Sequence, residues 1–121
     1  MPLRLEDTRS GERRTVRVRA GRPVTLYVCG PTVYAPTHVG HARTYLFFDL
    51  IRRFLTGEGI PVRHVMNITD FEDKIDHRAQ ELGLTWRALA RREEAGFVRA
   101  MSAFGILPPD QRPRAPFRSR R

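Results

Sequence analysis

The chain has 121 residues, room for one small domain or part of a larger one, and 40% of them are apolar, enough for a modest core. It carries 22 basic and 13 acidic residues, a formal charge of +9, and Lys74 is the sole lysine among the basic residues. With one cysteine, Cys29, no early apolar run and no long apolar segment, the sequence predicts no intramolecular disulfide, no signal peptide and no membrane span, hence a cytosolic protein.

Arginine holds its charge at all relevant pH and grips phosphate through a two-pronged donor fork. The excess therefore points either to a polyanionic partner or to a solvated basic surface. In chain order, Thr15 to Arg19 alternates Val16 and Val18 with Arg17 and Arg19, which predicts a short half-exposed strand. A turn at Ala20 to Pro23 closes an amino-terminal segment, residues 1–22. Val24 to Cys29 is β-branched and aromatic and reads as a strand stopped by Gly30-Pro31.

After a loop with Pro31, Pro36 and Gly40, a helix is expected from His41 to about Leu55, with Tyr45, Phe48, Ile51 and Leu55 on one face and Gly57 and Gly59 at its end. Val62 to Ile68 reads as the next strand. Strand, helix and strand in this order form a βαβ unit with a parallel pair and right-handed crossover. Two helices follow, about Glu72 to Leu82 and Trp86 to Phe104, the second capped by Thr85 and stopped at Gly105. The fold class is α/β, with the parallel unit falling within residues 23–107. Residues 108–121, with four prolines and five arginines, are expected to be extended or disordered, as a solvated tail or an RNA-contacting arm.

The loop after the first long strand carries the chemistry. Thr37-His38-Val39-Gly40-His41 sits at a strand–loop–helix junction, where α/β sheets bind ligands. A helix start offers free N–H groups to a triphosphate, Gly40 leaves space beside the backbone, and His38 and His41 can donate to phosphate oxygens. The same histidines serve equally well as a helix cap and a core residue. Asp70 is a plausible cap for the next helix, Glu72 and Asp73 fit a solvated helix start, and Asn67 and Thr69 are open. A lone cysteine at a strand end, such as Cys29, is ordinarily inert.

The run Leu26-Tyr27-Val28-Cys29-Gly30-Pro31-Thr32-Val33-Tyr34, then His38-Val39-Gly40-His41, Arg43-Thr44 and Phe48-Asp49, resembles the start of cysteinyl-tRNA synthetases, whose "HIGH" signature is here His-Val-Gly-His. A second block, Asn67 to Ile75, resembles the same family, and the likeness extends from about Leu26 to Pro109. It implies a cysteine–tRNA ligase with ATP, cysteine and tRNA-Cys as substrates, and for residues 23–107 the first half of a Rossmann-like nucleotide-binding domain. Thr37, His38, Gly40 and His41 would bind ATP, with His38 and His41 catalytic, Gly30 and Thr32 would contact substrate, and Cys29 would be one ligand of a thiol-selecting Zn2+. The other zinc ligands, the lysine-rich "KMSKS" loop and the second half of the sheet have no counterpart in this sequence. His64 and His77 lie outside the family's ligand context.

The ligase that joins cysteine to an amino-sugar inositol in mycothiol synthesis shares the core and signature but tends to lack the Asp73-Lys74-Ile75 ending, so the tRNA enzyme is favoured. The sequence therefore reads as an amino-terminal fragment, inactive alone. A truncated frame is preferred to a split enzyme with a separate carboxyl-terminal half, or to a non-catalytic RNA- or nucleotide-binding paralogue. An open sheet edge and uncovered helix faces would then favour self-association.

Overall fold

A computed structural model describes residues 2–70 and 72–114. The amino-terminal strands β1 (Arg4–Asp7) and β2 (Glu12–Thr15) form an antiparallel hairpin. Its turn is built locally: the Asp7 carboxylate accepts from the Arg9 N–H (3.1 Å) and the Ser10 hydroxyl (3.1 Å). The strand expected at residues 15–19 is thus displaced toward the amino terminus. Among the described residues, only the Val16 N–H, donating to the Leu3 carbonyl, continues the ladder past Thr15. Among them the valine–arginine alternation has no partner strand to pair with, whereas the Asp7 turn fixes a hairpin register three residues earlier.

β3 (Val24–Val28), α1 (Val39–Gly57) and β4 (Val62–Met66) form the expected βαβ unit, with β3 and β4 parallel in the register Val24 to Val62 and Val28 to Met66. α2 (Asp73–Glu81) and α3 (Trp86–Ala103) follow. Thr85 caps α3 by accepting from the Ala88 N–H at 3.2 Å. Gly59 and Gly105, at φ 74° and 68°, turn the chain out of α1 and α3 in the left-handed conformation that favours glycine.

The alternation along the strands sends Leu26, Val28 and Met66 toward the helices. There Val28 and Met66 pack with Ala42, Tyr45, Phe97, Met101 and Ile106, and Leu26 lies at the margin. A second cluster holds Val33, Ile68, Ile75, Ala79, Leu89 and Ala90 between α2, α3 and the loop after β3. The outward face of α1 leaves Leu46, Phe47, Leu50 and Phe54 exposed.

Residues 108–114 are not disordered. The Met66 and Ile68 N–H groups donate to the Gln111 and Pro113 carbonyls (both 3.0 Å), so this stretch lies parallel along the free edge of β4. Pro109 and Pro113 fall where no ladder donor is needed, so the prolines that suggest disorder are compatible with an edge. Residues 115–121, the rest of the expected tail, lie outside the described residues.

Candidate functional site: the histidine-capped corner

The carboxyl ends of β3 and β4 meet at a tight crossing. The Gly30 N–H donates to the Asn67 side-chain carbonyl at 2.9 Å, and the Tyr27 hydroxyl donates to the same oxygen at 2.9 Å. A Cβ on Gly30 would stand 1.6 Å from the Asn67 carbonyl oxygen, so glycine is required for the strands to approach. Beyond it, the Thr69 N–H donates to the Pro31 carbonyl and the Val33 N–H to the Thr69 carbonyl (both 3.2 Å), with Thr32 opposite Thr69. Gly30 and Thr32 are therefore fixed through their backbone at the sheet end that faces the loop to α1.

That loop delivers the two histidines to the start of α1. His38 is the N-cap: its Nδ1 accepts from the Gly40 N–H at 3.1 Å, while Nδ1 of His41 accepts from the His38 N–H at 3.3 Å. This is a capping box made from two imidazoles, their ring centroids 4.0 Å apart. The cap reading of His38 holds, but His41 caps as well and is not a core residue. Because both Nδ1 atoms accept, a neutral ring carries its proton on Nε2 and presents an N–H there. Gly40 has a local reason too: a Cβ would come within 2.9 Å of the His38 ring. Thr37 precedes the cap, half-buried.

Asn67, open from sequence alone, proves to be the clamp of the crossing. Its placement directly after the β4 apolar run is the signal that could have marked it. Asp70 does not cap α2. The N-cap there is Glu72, without a side-chain hydrogen bond, and Asp70 pairs instead with Arg114 at 3.0 Å. Tyr45 anchors α1 beneath the corner: its hydroxyl donates to the Cys29 carbonyl at 3.4 Å, and burial pushes its pKa up to about 12.

Cys29 is exposed at the end of β3, its thiol 3.8 Å from its own neighbour's carbonyl, that of Gly30. Among the described residues no three His, Cys, Asp or Glu side chains gather as a metal site. His77 is exposed on α2, and His64 is buried on β4. The residues of this chain do not fit a zinc centre by themselves.

Two histidines are held below the ordinary value of 6.5. Burial lowers His41, helped by the charge of His38. Burial also lowers His64, with Arg52 adding to the effect and the Asp110 and Asp49 carboxylates opposing it. Both ring nitrogens of His64 are buried without a hydrogen-bond partner. A depressed folded-state pKa means that the unfolded chain binds the proton first. Stability is then full above pH 6.5 and falls as pH drops through the lowered values. Urea midpoints measured from pH 7.5 to 5 are expected to be level at first and then decline. His64→Leu, which strands no hydrogen bond, should make the decline shallower, and an unchanged slope would remove His64 as a contributor.

A parallel strand pair joined by a crossover helix, with Gly30, Thr32, His38 and His41 gathered at the carboxyl ends of the strands and the start of that helix, defines the amino-terminal half of a Rossmann-like nucleotide-binding domain. Residues 15–118 match the family of tRNA synthetases class I (C) catalytic domains, and the chain belongs to that family. It is 48% identical over 120 residues to a cysteine–tRNA ligase of Clavibacter michiganensis subsp. michiganensis, covering 95% of this chain and 25% of the relative. It is 49% identical over 111 residues to an L-cysteine:1D-myo-inositol 2-amino-2-deoxy-alpha-D-glucopyranoside ligase of Thermomonospora curvata, covering 91% of this chain and 26% of the relative. The crystal structure of Mycobacterium tuberculosis methionyl-tRNA synthetase bound by methionyl-adenylate superposes with a TM-score of 0.71 and 30% identity, over 77% of this chain and 18% of that one. The chain thus spans about a quarter of the length of the curated relatives it matches. Among the described residues no helix is long and apolar enough to cross a membrane.

Proposed function

We propose that this chain supplies the triphosphate-binding corner of a cysteine–tRNA ligase, an enzyme that activates cysteine with ATP and transfers it to tRNA. The observation that carries the reading is the imidazole capping box. Both Nδ1 atoms are engaged by the backbone, so both neutral rings turn Nε2–H donors away from it at the end of a parallel sheet. In activation, a cysteine carboxylate oxygen bonds to the α-phosphorus while the bond to the bridging oxygen breaks and pyrophosphate leaves. Charge builds on the phosphate oxygens during that displacement, and Nε2–H of His38 and His41 would stabilise it. The lowered pKa of His41 keeps its ring neutral and its Nδ1 able to cap near pH 7. Gly40 leaves room for the His38 ring, and Thr37, Gly30 and Thr32 would line the approach. In transfer, a tRNA ribose hydroxyl takes the cysteinyl group and AMP departs.

Arg43, exposed one turn into α1, adds positive charge near the corner. With cysteine in the names of both curated relatives, cysteine is the substrate class common to them, and the Asp73-Lys74-Ile75 ending favours tRNA as acceptor. These 121 residues by themselves are expected to give no exchange. Mixed with a carboxyl-terminal portion of the Clavibacter relative, they are expected to give cysteine-dependent ATP–pyrophosphate exchange. His38→Ala and His41→Ala should each lower exchange at least 100-fold. Exchange that survives both substitutions would refute the assignment, and transfer of labelled cysteine to the amino-sugar inositol but not to tRNA would reassign the acceptor.

A further inference from the structure

Between Glu12 and Asp49 the sequence contains no acidic residue, yet Arg13, Arg14, Arg17, Arg19, Arg22 and Arg43 fall in that interval. The first five crowd into residues 13–22, which form β2, the connection after it and the turn before β3, and all five are exposed. Arg14 is paired with Asp7 at 3.1 Å. Among the described residues, Arg13, Arg17, Arg19 and Arg22 have no carboxylate within ion-pair distance.

Elsewhere, paired and unpaired arginines are interspersed. Arg52 is paired with Asp110, Arg53 with Asp49, Arg78 with Glu81 and Arg92 with Glu93. Arg112 and Arg114, read from sequence as part of a basic tail, are held by Glu94 and Asp70 within the fold. Arg13, Arg17, Arg19 and Arg22 thus crowd four arginines without a carboxylate partner into residues 13–22. Among the described residues others without one, such as Arg63, Arg91 and Arg99, are dispersed, and Arg112 and Arg114 in the described part of the tail are both paired.

We propose that residues 13–22 form a docking strip for the phosphate backbone of RNA, recognised by charge and without base specificity. Guanidinium groups suit phosphate oxygens because they donate two parallel hydrogen bonds. The segment has one exposed large apolar side chain, Val18, and no aromatic residue, so it lacks the inserting groups of a membrane-surface element. It enters the amino end of β3, five residues and roughly 16 Å along the strand from the histidine corner, so the strip is separate from the nucleotide site. The reading above enters only in the choice of RNA among polyanions. Pyrophosphate exchange, which needs no RNA, tests that reading on its own.

The experiment is fluorescence anisotropy with a labelled tRNA transcript and the whole 121-residue chain at several salt concentrations. A triple variant, Arg17→Ser, Arg19→Ser and Arg22→Ser, is compared with a charge-matched control on exposed arginines elsewhere, Arg63→Ser, Arg91→Ser and Arg99→Ser. Circular dichroism verifies that both are folded. The strip variant is expected to bind at least 10-fold more weakly, with the slope of log K against log salt reduced by about 2 to 3. The control should lose less than 3-fold. Equal losses in the two variants would reduce the effect to bulk charge and overturn the proposal. So would absence of binding by the parent chain at low salt, or strip-dependent binding to phosphatidylserine vesicles as strong as to RNA.

Discussion

Gly30→Ala is expected to lower the melting temperature by about 15 °C, read by circular dichroism. The added Cβ would lie 1.6 Å from the carbonyl oxygen and 2.8 Å from the carbonyl carbon of Asn67, and both obstacles are backbone. Relief requires β3 and β4 to part at their carboxyl ends. That motion breaks the hydrogen bonds from the Gly30 N–H to Asn67, from the Thr69 N–H to Pro31 and from the Val33 N–H to Thr69. Overpacking costs about 2 kcal/mol and each of the three lost bonds about 1 kcal/mol, so a loss of about 5 kcal/mol follows. That is a large fraction of the stability of any small domain, and at this chain length it corresponds to the shift given. Gly40→Ala is the internal comparison. Its Cβ meets only the ring of His38, which can rotate away, so the cost is about that of a lost cap, ~1 kcal/mol. Equal melting temperatures for the two variants would show that the crossing at Asn67 is looser than its geometry requires.

The contrast between these glycines shows what the sequence made legible. Gly-Pro after a β-branched run marks the end of β3, and the spacing of Tyr45, Phe48, Ile51 and Leu55 marks α1, because strand and helix periodicities are local properties. Resemblance placed His38, Gly40 and His41 at one site. Their mutual capping was not legible, since it depends on ring orientation across one helical turn. The amino-terminal strand was misplaced for a different reason. β2 is exposed at every position and carries no apolar alternation, so its pairing with Arg4–Asp7 is set by the Asp7 turn and not by burial. Residues 108–114 are extended, as one of the two expectations had it, but their seat was not legible because composition reports only the absence of a core-forming pattern. It cannot report the open edge of β4, whose Met66 and Ile68 N–H groups donate to this stretch. Asp110 makes that edge specific, accepting from the His64 N–H at 2.7 Å while its own N–H donates to the His64 carbonyl at 2.8 Å.

Asp49 governs whether that edge stays attached, and Asp49→Ala is expected to cost about 2 to 3 kcal/mol. Its carboxylate is 3% exposed, in the middle of α1. One oxygen accepts from the Leu107 N–H at 3.1 Å and the other from Nε of Arg53 at 2.7 Å. Arg53 in turn donates to the Gly105 carbonyl at 2.7 Å. Together they bracket the turn that leads from α3 into residues 108–114. Alanine leaves the Leu107 N–H without an acceptor and frees Arg53, whose half-exposed side chain regains water and so adds little to the cost. Asparagine keeps an oxygen for Leu107 and loses only the charge assistance, about 1 kcal/mol. The location of the effect is more diagnostic than its size. Hydrogen exchange should quicken at the Met66 and Ile68 amides, which donate to Gln111 and Pro113, well before it quickens at amides within the β3–β4 pair. If Asp49→Ala instead loosens every strand amide equally, the bracket does not act on the 108–114 edge, and Asp49 serves only the global stability of α1.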